Sequence, residues 1–126
     1  MSLKIGAWKL NENGVEDALK ITSVDPNSGV VAGSIGANSF AGLWDETSRT
    51  LTFFAPVLSG GEVEPAPPRF YKGFLFSTPR NPAPGQDVLW TLVGFVQVTD
   101  SAAAGVMGGN VRRNMFGWFA QISEVA

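Results

Sequence analysis

Short runs of alternating apolar and polar residues follow one another from Leu3 almost to the C-terminus, each closed by Gly, Pro, Asn or Asp. The pattern predicts β-strands over Leu3–Leu10, Val15–Val24, Val30–Ile35, Ser39–Trp44, Arg49–Val57, Arg69–Ser77, Val88–Val98 and Asn114–Ile122. Strands of this length and spacing belong to an all-β barrel or sandwich. Asn11-Glu12-Asn13-Gly14 and Asp25-Pro26-Asn27-Ser28-Gly29 are turn signals, because Asn and Gly accept positive φ and Pro fixes an early turn position. Val15–Ile21 also carries acidic residues suited to a first helical turn. The ending Ile21-Thr22-Ser23-Val24 and the following Asp25-Pro26 favour a strand there.

If the strands run up and down, every second connection shares one end of the barrel. The two longest stretches outside the predicted strands, Leu58–Pro68 and Thr99–Arg113, then fall at the same mouth. Long loops on a rigid scaffold are where binding concentrates, and tolerated surface insertion is the plainer alternative. The Pro-rich loop Thr78–Asp87 falls at the other end.

The last two strands break the usual alternation. Val88, Trp90, Leu92, Val96 and Val98 lie on one parity, with Leu89, Val93 and Phe95 on the other; Met115 and Phe119 likewise oppose Phe116, Trp118 and Ile122. A lone barrel places polar residues outside. A doubly apolar surface therefore predicts a cover, and a homo-oligomer is favoured over a covering loop.

The bulk numbers narrow the function. A chain of 126 residues with 44% hydrophobic and 16% charged residues reads as one folded domain over 1–126. A net charge of −2 gives no broad attraction for nucleic acid or an anionic membrane. Cysteine and histidine are absent, which removes disulfides, thiolate and triad catalysis and the ordinary zinc sites. No catalytic residue, metal or cofactor is expected. Asp45, Glu46, Glu62, Glu64 and Asp87 all fall in predicted turns, where short acidic side chains serve local backbone. Gly105–Asn110 is glycine-rich but lacks the Lys-Ser/Thr ending of a phosphate loop. The N-terminal residues lack the apolar core of a signal peptide, so a cytoplasmic location is the expectation.

The order of motifs resembles the avidin family and, more broadly, the calycin barrels. Gly6-Ala7-Trp8 is similar to their opening Gly-x-Trp, Val31-Ala32-Gly33-Ser34 to the third strand, and Phe40-Ala41-Gly42-Leu43-Trp44-Asp45 to the fourth. Tyr71-Lys72-Gly73-Phe74, Trp90-Thr91-Leu92 and Val111-Arg112-Arg113-Asn114-Met115-Phe116 resemble later strands. The resemblance implies an eight-stranded antiparallel up-and-down β-barrel, commonly a dimer or tetramer, with a small-molecule pocket at one mouth. It also implies that Asn114 orients the ligand and that Tyr71 and Trp90 wall it. The polar trio that such barrels use on a ureido group is replaced by Leu10, Val15 and Ile35. Biotin is therefore not the expected ligand, because a buried polar head group left unpaired loses its recognition.

The expectation is a non-catalytic barrel that binds a small apolar or mixed-polarity ligand. Trp8 would pack the barrel floor. Trp44, Phe53, Phe74 and Trp90 would line a cavity or, alternatively, fill the core. Arg112 would meet an anionic group or face solvent. The alternative function is a protein-interaction or inhibitor module that uses the Pro-rich loops and apolar outer strands.

Overall fold

The alternating runs fold as strands, and each strand pairs with the next. In the computed structural model the described residues are 2–55, 69–101 and 111–125, and the described side chains exclude 99–101 and 111–113. The strands are β1 (Gly6–Glu12), β2 (Val15–Val24), β3 (Val30–Ile35), β4 (Asn38–Asp45), β5 (Thr50–Ala55), β6 (Arg69–Thr78), β7 (Asp87–Ser101) and β8 (Val111–Val125). Every ladder is antiparallel and sequential, and β1 also pairs with β8 from Lys9–Gln121 to Glu12–Trp118. The sheet is thus a closed eight-stranded up-and-down barrel, with no helix among the described residues.

Several boundaries differ from the sequence reading, each for a visible reason. β2 is a strand throughout, because Leu19 and Ile21 point inward on a period of two with Lys20 outside. Residues 2–5 do not extend β1; they cross the barrel base. Thr99–Ser101 pairs with Val111–Arg113, so both ends of the expected loop continue the β7–β8 ladder. The expected loop Leu58–Pro68, with Pro56 and Val57, and residues 102–110 lie outside the described residues.

Up-and-down connectivity fixes which ends coincide. The tight turns Asn13-Gly14 and Gly36-Ala37 share an end with the paired strand termini Ala55–Arg69 and Ser101–Val111. Asn13 and Gly14 both take positive φ, at 50° and 84°, which matches the twist a two-residue hairpin turn requires.

The interior at mid-height is filled. Phe40 stacks on Phe53 at 4.3 Å between ring centroids, and Phe53 on Tyr71 at 4.6 Å, nearly parallel. Trp118 meets both Phe53 and Tyr71 edge-on. Glycines on the inward parity make room for these rings: Gly33 lies opposite Phe40, Gly42 opposite Phe53 and Gly94 opposite Trp118. Gly73 is the tightest against a ring, since a Cβ there would stand 2.6 Å from Trp118 Cζ2. Small-large pairing of this kind lets a narrow barrel bury aromatic rings without a void.

The end opposite the Asn13-Gly14 turn is closed by residues 2–5. Leu3 of this strap is buried, and the Trp8 indole N–H donates to the Lys4 carbonyl at 3.0 Å. Glu46 accepts from the Ser2 amide and hydroxyl and from the Trp44 indole. On the far side Glu124 pairs with Lys4 at 2.9 Å and accepts from the Trp90 indole at 2.8 Å. Lys4 also sits over the Trp90 ring, 5.0 Å from its centroid. One end of the barrel is shut.

Candidate functional site

Among the described residues the end opposite the strap of residues 2–5 is open, and it is polar where a barrel core is normally apolar. Glu12 ends β1 on the same inward parity as Trp8 and Leu10. Arg69 begins β6 on the inward parity of Tyr71, opposite the small Ala55. β1 and β6 are not sheet neighbours, yet the Glu12 carboxylate accepts from both the Tyr71 hydroxyl and the Arg69 guanidinium. The three side chains bridge the lumen above the aromatic stack.

This bridge is electrostatically settled. The Arg69 cation neutralises Glu12, and charge-assisted hydrogen bonds of this type are the strong ones. Burial, and then the carboxylate of Glu12, push the Tyr71 phenol far above the usual range. The phenol is therefore a fixed donor at neutral pH and not a base.

Beside the bridge lies a recess of about 170 Å³, lined by Leu10, Glu12, Val15, Asp17, Ile35, Asn38, Ala55, Arg69 and Tyr71. Its wall mixes aliphatic side chains with Asp17 and Asn38. Asp17 accepts from the adjacent Ala18 amide at 2.8 Å and is otherwise exposed to the recess and solvent. Among the described residues, with Glu12 paired to Arg69, Asp17 gives the wall one negative charge. Among the described residues no three of Asp, Glu, His or Cys converge, so Glu12 and Asp17 do not make a metal cage.

The sequence-predicted site residues separate. Tyr71 is buried at the open end, and Asn114 lies on the inward parity of β8 at the same end, opposite Val98. Arg112 shares that parity farther along β8, but its side chain lies outside the described ones. Trp90 and Trp44 do not wall this site: Trp90 is near the start of β7 and Trp44 near the end of β4, which places both at the closed base. Phe74 does not line the interior either. It alternates with the inward Gly73 and Leu75 and stands 45% exposed on the outer wall. Of the two alternatives, a cavity or a filled core, the interior at mid-height is the filled core, with a shallow recess at the rim.

Sequence reasoning missed Glu12, Asp17, Asn38 and Arg69. The signal was available: all four adjoin connections at the end that the loop-parity argument selected, and Glu12 and Arg69 continue the parities of Leu10 and Tyr71. Asp25 and Asp45 accept from amides of their own turns, as turn carboxylates do. Glu46 does not; it anchors the strap. A larger hollow, about 680 Å³, lies outside the barrel between the turns at Pro26–Gly29 and Asp45–Ser48. It is a broad surface valley remote from the bridge, and its carboxylates are already engaged. The recess at the bridge, inside the rim, is the better site.

Comparison with models of known protein families, with curated proteins and with solved structures finds no match to this chain.

Proposed function

We propose that this protein is a non-catalytic binding barrel of avidin-like layout that takes a small mixed-polarity molecule at its open rim. One observation carries the reading: among the described residues the inward positions Glu12, Asp17, Asn38 and Arg69 turn polar at this rim, while the polar groups of the opposite end, Ser2, Lys4, Glu46 and Glu124, are engaged in holding residues 2–5 across it. Placing Glu12, Asp17, Asn38 and Arg69 around a lumen costs stability unless the groups are satisfied. A ligand that pairs with Asp17 and Asn38 gives that polarity a use.

The chemistry of the wall selects the ligand class. A negative charge that Arg69 does not cancel favours a cationic or donor-rich head. Leu10, Val15, Ile35 and Ala55 favour a short apolar portion. The volume holds a small molecule and is below the roughly 300 Å³ typical of drug-sized sites. Leu10 and Ile35, where avidin-like barrels carry polar residues, make the recess unsuited to a ureido head group.

Titration with n-butylguanidinium, monitored by ligand-observed NMR, tests the reading. Binding is expected, with n-butanol and butyrate bound at least about tenfold more weakly, and Asp17→Asn should cost a similar factor. Equal response to butyrate, or an unchanged response in Asp17→Asn, contradicts it.

A second reading, a protein-interaction module, is favoured by a different observation, the apolar outer wall of β6–β8. Of the loops expected to carry such a role, residues 65–68 lie outside the described residues. In the Thr78–Asp87 loop, Ala83 and Gln86 bond one another.

A further inference from the structure

Strand register sets the floor of the outer valley between the turns at Pro26–Gly29 and Asp45–Ser48. Leu43, Thr52 and Lys72 lie side by side across β4, β5 and β6, and Asp45, Thr50 and Phe74 make the next row. Both banks are fixed. The Trp44 amide donates to the Gly29 carbonyl at 2.7 Å, and the Asp25 carboxylate accepts from the amides of Asn27 and Ser28. A Cβ on Gly29 would stand 2.4 Å from the Trp44 carbonyl oxygen, so the two banks meet only through glycine. A hollow held in this way loses little conformational freedom when a ligand enters.

The lining is rich in hydroxyls and mixed in charge. Glu46 is engaged by Ser2 and the Trp44 indole, and Asp45 Oδ1 by the amides of Thr47 and Ser48. Lys72 stands in the same lining, so no single sign of charge selects the ligand. Ser28, Ser48, Thr50 and Thr52 carry hydroxyls, each both donor and acceptor. Thr50 is only 8% exposed, and its hydroxyl donates to the Ser48 carbonyl at a long 3.3 Å, which leaves its lone pairs for a ligand. Ser28 Oγ accepts from the Val30 amide, which leaves its proton to donate. Phe74 adds a half-exposed aromatic ring, with Lys72 Nζ 5.7 Å from its centroid. Mixed donors and acceptors beside one electron-rich face match a sugar ring, which carries hydroxyls around its rim and C–H groups on its faces.

The valley runs into a second hollow of about 330 Å³ that shares Leu43 and Thr52 with it. Val30, Ala41, Phe54 and Phe70 make this hollow apolar, with the two phenylalanine rings 5.0 Å apart. We infer that the joined groove binds a glycoside, its sugar ring in the valley against Phe74 and an apolar aglycone in the hollow beside Phe54. No residue lines both this groove and the rim recess, so the inference stands or falls independently of the ligand reading there.

Titration with phenyl β-D-glucopyranoside, phenyl β-D-galactopyranoside and phenyl α-D-mannopyranoside, followed by amide chemical shifts, tests it. At least one should bind with a dissociation constant of about 10 mM or lower and move residues 26–29, 43–48 and 72–74. Phenol and the matching free sugar should each bind at least about fivefold more weakly. Phe74→Leu keeps an apolar side chain but loses the ring, and Thr52→Val loses only a hydroxyl. Each should weaken binding about threefold or more, whereas Asp17→Asn, in the rim recess, should leave it unchanged. Failure of all three glycosides to shift these residues overturns the inference. So does phenol binding as tightly as its glycosides, which would make the groove a plain apolar surface. Binding indifferent to both Phe74→Leu and Thr52→Val overturns it as well.

Discussion

Gly73 shows how narrowly the interior is fitted. The Trp118 indole lies against its Cα, and the indole N–H is tied to the Phe95 carbonyl at 2.9 Å, so the ring has little freedom to retreat. Gly73→Ala should therefore destabilise the fold by about 1–3 kcal/mol, the range for overpacking a filled core. Thermal unfolding checks this as a midpoint lowered by several degrees; an unchanged or raised midpoint would mean that the ring can move. At this scale the sequence was least legible. The family resemblance singled out Tyr71, but nothing local indicated that Glu12, distant in the chain, would accept its hydroxyl. Such contacts cross the lumen between strands that are not neighbours, so they depend on the diameter and stagger of the closed barrel.

Among the elements, the strap of residues 2–5 carries the clearest pH signature. The hydroxyl and amide of Ser2 hold the Glu46 carboxyl down to about 2, against a usual 4.5. The Lys4 ammonium, followed by the Trp90 indole, lowers Glu124 as well. Both groups bind protons less readily folded than unfolded. Their stabilisation is present above the unfolded value and is lost as pH falls toward the folded one. The midpoint of thermal unfolding should therefore drop between about pH 4.5 and pH 2. In Glu46→Gln that acid-side slope should be shallower, and an identical profile would show that the strap does not depend on this carboxylate. The strands themselves were largely legible, because period-two patterning and the Asn-Gly and Asp-Pro turns act locally. The strap was not: Leu3 and Ile5 alternate as a strand would, and their departure at Gly6, with φ of 145°, follows from covering the base. The lengths of β7 and β8 were also understated, since Thr99–Ser101 pairs with residues that no local signal marks as partners.

Among the described residues the barrel has one end covered by residues 2–5 and one uncovered end, and its candidate chemistry follows from that asymmetry. Loop parity identified the open end from sequence, yet Trp44 and Trp90 were assigned to it although their places near the end of β4 and the start of β7 put them at the base. An amide chemical-shift map during titration with n-butylguanidinium tests the central claim most directly. The claim predicts shifts concentrated at residues 12–17, 35–38 and 69–71 around the Glu12–Arg69–Tyr71 bridge. Shifts centred on residues 2–8, Trp44 and Trp90, or no localised shifts at all, would contradict it.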